Sequence, residues 1–327
     1  MNDFRAFRIS ENEGRASGQL VRATLDELTA GEVVIKTAYS GVNYKDALAG
    51  TGTGKILRRF PLIGGIDLAG TVVSSTDTAF HEGDHVLATG YDLSVTHDGG
   101  YAEYARVPAG WIVPLPSGLT LREAMAIGTA GFTAALSVAD MEKNGLSPKE
   151  GPVIVTGATG GVGSVAVELL SRLGYTVTAL TGKNTAHDFL RELGASEVWS
   201  RHELEMGTRP LEKALWAGAV DAVGGDLLAW LTRTMKVGGT IASSGLTAGI
   251  ALNTTVMPFI LRGVKLLGID SASCDIDTRR TVWQRLATEL KPQHLYTHLT
   301  EVTLDGLDDA FQILLGGTAR GRIVVKI

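Results

Sequence analysis

Residues 153–164 read VIVTGATGGVGS. An apolar run leads into a glycine-rich turn, and a periodic apolar stretch follows it. A phosphate is held best by backbone N–H groups at a helix N-terminus, with no side chain in the way. Gly157, Gly160 and Gly163 suit that task, through a tight turn, close approach to a pyrophosphate and close packing of helix on strand. A glycine triplet alone means little; its weight comes from a strand before it and a helix after it. PVIVTG reads as a buried strand, and SVAVELLSRLG as a helix with Val165, Leu169 and Leu173 on one face. Gly174 suits the C′ position of that helix. The segment therefore predicts a dinucleotide-binding βαβ unit.

The alternation continues downstream. YTVTALTG reads as a strand, AHDFLRELGA as a helix and SEVWS as a strand. LEKALWAG, AVDAVGG, DLLAWLTRTMKVGG, TIASSG and VKLLGIDS carry the pattern on. Such alternation implies a parallel sheet with helices on both faces. The first third is different. EVVIKTAY, DLAGTVV, DHVLATG and GYAEYARV are short β-rich runs separated by Gly, Asp and Pro, which predicts a compact antiparallel barrel or sandwich. Thr120 followed by Glu123 forms a capping box, and an apolar helix is expected from there to about Gly145. After residue 272 come the helices TRRTVWQRLATEL and LDDAFQILLGG, then a closing strand, GRIVVKI, expected to return to the first domain. The division read from these changes is 1–124, 125–271 and 272–327.

The end of the second strand of the βαβ unit selects the cofactor. An acid about 20 residues after the turn would hold a ribose 2′-hydroxyl. Here the strand ends Leu180-Thr181-Gly182-Lys183, and the first acid is Asp188, already in the next helix. A hydroxyl and a lysine suit a 2′-phosphate, and Arg201, after the third strand, suits the same group. NADPH is the expected cofactor. A short-chain dehydrogenase is excluded: about 150 residues precede the turn, and no tyrosine has a lysine four positions on.

Composition narrows the partners. A chain of 327 residues allows about two domains. A net charge of -5 offers no basic field for nucleic acid. The start, MNDFRAFRISENEG, has no long apolar run, and no segment has the ~18 consecutive apolar residues of a membrane helix, so a cytoplasmic location and no membrane partner are expected. Cys274 is the single cysteine, which excludes an intramolecular disulfide and a multi-cysteine zinc site.

The order of a β-rich first domain, AIGTAGFTAA and VTGATGGVGS resembles the medium-chain dehydrogenase/reductase superfamily over essentially the whole chain. FPLIGGIDLAGTVV and EGDHV resemble its first-domain signatures. NYKDALAGTGTGKILRRFPLIGGID, RPLEKALWAGAVDAVGG and TTVMPFILRGVKLLGIDS are similar to the zinc-free, quinone-oxidoreductase-like group, and nearest to its NADPH-dependent acryloyl-CoA reductases. The resemblance implies an α/β fold, a Rossmann doubly wound parallel sheet plus a GroES-like β-barrel domain, with the site in the cleft between them. It implies NADPH contacts at Tyr44, at Ala158, Thr159, Gly160, Gly161 and Val162, at Thr181, Gly182, Lys183 and Arg201, and at Leu246, Ile260 and Ser271. It also implies a homodimer. The family often has Asn before its final Gly-Arg strand; Gly316-Gly317 stand there in this chain, so no side-chain contact is implied at that point.

Zinc members of the superfamily carry a cysteine where Asn43 stands and His-Glu where Ile66-Asp67 stand. Asn and Ile cannot replace Cys and His as ligands, so no metal is expected. The pairs His81/His85 and His294/His298 read as surface histidines. In SGVNYKD, residues 40–46, Tyr44 is the one donor with the reach and acidity for general-acid work on a developing enolate. Its reading stays open between catalytic acid or enolate stabiliser, a wall against the nicotinamide, and plain structure. Asn43 and Asp46 read as turn-bonding side chains. In GTGTGKILRRF, Lys55, Arg58 and Arg59 read either as a solvated basic loop or as a clamp for the phosphates of a CoA ester.

The reading is an NADPH-dependent reductase of the C=C bond of a short 2-enoyl thioester, best exemplified by acryloyl-CoA to propanoyl-CoA. The alternatives are a quinone or enone reductase and, in another class, a non-enzymatic NADPH-binding protein. The absence of a basic, aromatic-interleaved stretch counts against RNA.

Overall fold

The computed structural model describes residues 3–327. The chain begins with β1 (Phe4–Asn12), β2 (Arg15–Ala23), β3 (Val33–Val42), α1 (Tyr44–Thr51), β4 (Leu62–Ile63), β5 (Asp67–Ser75), β6 (His85–Thr89), β7 (Tyr104–Val107), β8 (Val113–Pro114) and α2 (Leu121–Lys143). It continues with β9 (Val153–Thr156), α3 (Gly161–Arg172), β10 (Val177–Thr181), α4 (His187–Glu192), β11 (Glu197–Ser200), β12 (Trp216–Asp221), α5 (Gly225–Thr234), β13 (Met235–Ser243), α6 (Met257–Arg262) and β14 (Lys265–Gly268). It closes with α7 (Ile276–Ala287), β15 (Leu299–Thr303), α8 (Leu307–Leu315) and β16 (Arg322–Lys326). Two compact units result. One holds the residues up to Thr129 with Ser271–Thr288 and Leu295–Ile327; the other holds Ala130–Asp270 with Glu289–His294.

The first unit is built on a seven-stranded sheet, β15-β16-β3-β5-β6-β8, with β7 also paired to β3. β16 runs parallel to β15 and antiparallel to β3, so the last strand of the chain completes a sheet begun in its first third. That placement explains why Arg322 to Val325 are all buried. A smaller sheet, β2-β1-β4, packs Phe4, Phe7 and Ile9 into a core with Tyr101 and Phe311. The β1–β2 hairpin escaped the sequence reading because its two strands alternate polar and apolar residues only weakly. GYAEYARV yields a strand only from Tyr104, shorter than its composition suggested.

The second unit is a six-stranded parallel sheet in the order β11-β10-β9-β12-β13-β14. All four residues of β9 are buried, as a central strand covered on both faces must be. The strand order reverses between β9 and β12, the crevice where doubly wound folds bind ligands. The alternation fails at one point. Between β11 and β12 only a 3-10 turn, Arg201–Glu203, intervenes, and LEKAL is irregular until Trp216.

The helix expected to run unbroken to about Gly145 is interrupted. Gly128, inside α2, has φ 52° and ψ -163°, outside the helical region. A side chain there is impossible as well: a Cβ would lie 2.6 Å from Nη2 of Arg322 and 2.7 Å from Oδ2 of Asp67. By length and hydropathy α2 could cross a bilayer, but 89% of its most apolar window is buried inside the protein.

Candidate active site

The glycine turn and its surroundings lie in the second unit. Gly160 precedes α3, and no side chain caps that helix. The N–H groups of its first turn are therefore open to an anion. A Cβ on Gly163 would lie 2.3 Å from the carbonyl oxygen of Gly157, so only glycine allows the helix to sit this close to the strand. Ala158 and Thr159 are buried beneath the turn, while Gly160, Gly161 and Val162 are half-buried.

The end of β10 gathers the residues that the sequence reading assigned to a 2′-phosphate. A Cβ on Gly182 would stand 2.9 Å from Nη2 of Arg201, which places the guanidinium against the Gly182 backbone. The Lys183 N–H donates to Oγ1 of Thr181 at 3.0 Å. His202 adds a ring nitrogen 3.2 Å from the Gly182 carbonyl, a contact the sequence did not signal. Thr181, Gly182, Lys183 and Arg201 thus stand together as two cations and a hydroxyl, with no acid among them.

The other expected contacts belong to other segments of the two units. Leu246 follows β13 and is 62% exposed, and Ile260 on α6 is 70% exposed. Ser271 belongs to the first unit, where its carbonyl accepts from Arg279. Lys55, Arg58 and Arg59 are all exposed, and Arg59 donates to Oγ1 of Thr29 at 2.8 Å. His81 is exposed as expected, but His294 is not a plain surface histidine. Buried Glu168 on α3 accepts from its backbone N–H, and its Nδ1 lies 3.1 Å from the same oxygen.

SGVNYKD forms the end of β3 and the start of α1. Asn43 is the N-cap, and its N–H donates to Oδ2 of Asp46 at 2.9 Å. Tyr44 is the first helical residue and is 41% exposed, so its ring is open to a ligand. Beneath it lies a network the sequence reading did not anticipate. Nδ2 of Asn43 donates to Asp67 at 2.8 Å and to Asp46 at 3.2 Å. Thr129, just past the break at Gly128, donates to Asp67 through both its N–H and its hydroxyl, at 2.9 and 2.5 Å. Arg322 donates to Oδ1 of Asn43 and to the carbonyls of Val42 and Ala126. Asn43 and Asp46 do bond the turn, as read, but they also tie it to Asp67 and Arg322.

The network is dry. Asp46, Asp67 and Arg322 are 1%, 0% and 6% exposed. Burial, with the Asp67 carboxylate nearby, pushes the Asp46 carboxyl up to about 7. Burial also lowers the Arg322 guanidinium from its usual value, while Asp67 and Asp46 pull it back up. Tyr101, driven well up by burial and then by the two carboxylates, stays protonated and donates to the Gly41 carbonyl at 3.0 Å.

These residues do not fit a zinc ion. Asn43 presents its amide nitrogen to the two carboxylates and its oxygen to a guanidinium, so both polar ends of its side chain are already engaged. Ile66 offers no ligand atom, and Arg322 already supplies a cation. Among the described residues no group of three or more His, Cys, Asp or Glu could hold a metal ion.

A GroES-like β unit and a doubly wound dinucleotide unit with an open phosphate turn define an oxidoreductase of the dehydrogenase/reductase type. Family models agree: an alcohol dehydrogenase GroES-like domain matches residues 29–117, and a zinc-binding dehydrogenase domain matches residues 161–288. The chain belongs to the medium-chain dehydrogenase/reductase superfamily, in its quinone-oxidoreductase-like group. It is 52% identical over 326 residues to a Bacillus subtilis protein provisionally named quinone oxidoreductase YhfP, covering 99% of each chain. The crystal structure of that protein with NAD bound superposes with a TM-score of 0.97 over 100% of both chains, at 51% identity. The acrylyl-CoA reductase AcuI of Ruegeria pomeroyi is 46% identical over 97% of this chain and 96% of its own. The yhdH oxidoreductase of Salmonella enterica in complex with NADP is 47% identical, with a TM-score of 0.96 over 99% of both chains.

Proposed function

We propose that the protein is a cytoplasmic, NADPH-dependent reductase of the C=C bond of a short 2-enoyl thioester, acryloyl-CoA to propanoyl-CoA. The observation that carries the reading is the set at the end of β10. Thr181, Lys183 and Arg201 offer a hydroxyl and two cations where an acid would otherwise select NAD. Similarity to AcuI supports the thioester. The provisional name of YhfP favours a second reading, quinone reduction, on the same fold. NADP in one related structure and NAD in another make cofactor choice a matter for this chain's own residues.

NADPH, when held by the glycine turn with Thr181, Lys183 and Arg201, would supply the hydride that the β-carbon of the substrate needs. The α-carbon must then gain a proton, and the thioester oxygen must be held while it carries enolate charge. Tyr44 is the exposed O–H donor at the head of α1 and takes one of those tasks, or else it packs against the nicotinamide. The buried Asn43–Asp46–Asp67–Arg322 network holds the backbone of the turn that carries Tyr44. Among the described residues, seven of the twelve exposed large apolar side chains fall between Leu246 and Leu261, close in sequence to the edge strand β14. A homodimer covering that stretch accounts for their exposure.

NADPH oxidation should be followed with acryloyl-CoA, with a quinone, and with no acceptor, each repeated with NADH. The reading expects the highest kcat/KM for NADPH with acryloyl-CoA, and propanoyl-CoA carrying one solvent deuteron at C2 when the reaction runs in D2O. Turnover on the quinone alone would move the assignment to the second reading. NADPH binding with no turnover on either acceptor would leave a non-enzymatic binding protein.

A further inference from the structure

The crossover between β11 and β12 lacks the helix that packs there in a regular doubly wound unit. A cavity of about 660 Å³ occupies the place, within the size range of small-molecule sites. Its walls are aromatic and apolar: Trp199 on β11, Trp230 on α5, and Leu204 and Leu215 from the irregular segment. Trp216 backs them, with ring centroids 5.2 Å from Trp199 and 6.5 Å from Trp230. No residue of the glycine turn, nor Thr181, Gly182, Lys183 or Arg201, lines this cavity. It is not the nucleotide site.

Its polar groups are unusually uncommitted. Nε2 of His187, a lining residue, is buried and has no hydrogen-bond partner. Glu203 and Glu205 line the cavity and are exposed, and neither has a hydrogen bond or ion pair among the described residues. Glu212 also lines it, but its carboxylate is taken by Arg209 through the backbone N–H, Nε and Nη2. Lys213 is the one lysine or arginine among the lining residues. Among the lining side chains two free carboxylates stand against one ammonium, while Arg233 lies behind the wall and donates to the Met206 carbonyl.

We infer that this cavity binds a small aromatic amine in its protonated form. The half-buried indole of Trp199, with Trp230 buried at the wall behind, attracts both a flat ring and a cation. Glu203 and Glu205 meet the ammonium at the rim, and the buried His187 nitrogen gains a partner. An anionic aromatic of equal size would face two carboxylates against one ammonium.

Tryptamine and indole-3-propionate share a ring system and a similar chain but carry opposite charge, so their comparison isolates the inference. Calorimetric titration of the full-length protein at low salt should show tryptamine binding about tenfold more tightly than the acid. Glu203→Gln combined with Glu205→Gln, at two exposed positions, should abolish that preference while leaving thermal stability unchanged. Trp199→Ala should weaken tryptamine about tenfold. Equal affinity for the two probes, binding of neither, or full preference retained in the double glutamine variant would overturn the proposal.

Discussion

Asp46→Asn tests whether the network under Tyr44 behaves as its surroundings dictate. Asp46 takes a proton near pH 7, because burial and the Asp67 carboxylate both disfavour its charge. Its unfolded value is near 4. Between those values the folded protein holds a proton that the unfolded chain does not, so stability is full at low pH and falls as pH rises through 7. From pH 5.5 to 8.5 the loss works out at about 2 kcal/mol. Asn cannot titrate and escapes this loss. It suffers another, because Oδ1 of Asp46 accepts from the Ile66 N–H and Oδ2 from the Asn43 N–H. An amide accepts through one oxygen, so one buried N–H loses its partner, at about 1–3 kcal/mol and independent of pH. Urea unfolding of both proteins at pH 5.5, 7.0 and 8.5 separates the two effects. The variant should be the less stable at pH 5.5, and the gap should close by about 2 kcal/mol towards pH 8.5. A gap that stays constant, or that widens with pH, would refute the reasoning.

Three further outcomes follow from the site. Lys183→Ala should weaken NADPH by roughly ten- to a hundred-fold, the worth of a charge-assisted phosphate contact, and leave NADH almost unchanged; equal losses in fluorescence titration would remove Lys183 from the 2′-phosphate. Tyr44→Phe should lower kcat by about 10²- to 10⁴-fold if its hydroxyl is the acid, whereas unchanged turnover with a raised NADPH dissociation constant would make it a wall. Arg58→Ala with Arg59→Ala should raise the KM for acryloyl-CoA several-fold and spare a quinone and a pantetheine thioester lacking the nucleotide, since only the CoA ester carries the nucleotide phosphates; a uniform change across the three substrates would leave the loop a solvated one.

Much of the chain could be read from its letters because local physics decided it. VIVTGATGGVGS can be little other than a strand, a phosphate turn and a helix, since Val153-Ile154-Val155 is an unbroken β-branched apolar run and glycines follow at the spacing of a phosphate turn. Thr181-Gly182-Lys183 lies within three residues of one strand end, so its chemistry was visible without the fold. The capping box of Thr120 and Glu123 is equally local, and the Thr120 N–H does donate to the Glu123 carboxylate.

What the letters hid is what depends on distant segments meeting. Gly128 looked like one more residue of an apolar helix; it takes a positive φ that interrupts α2, and Asp67 and Arg322 leave no room there for a side chain. LEKAL was read into the alternation, yet no helix forms there, and the cavity beside Trp199 is the consequence. Asn43, Asp67 and Arg322 are separated by 24 and 255 positions. They meet because β16 returns to pair with β3, and β3 pairs with β5. Sequence could show that Asn43 and Ile66 are wrong for zinc. Only the sheet could show that a buried guanidinium and two carboxylates meet there instead on the two ends of the Asn43 amide, because three segments far apart in the chain must pair before those groups share one dry interior.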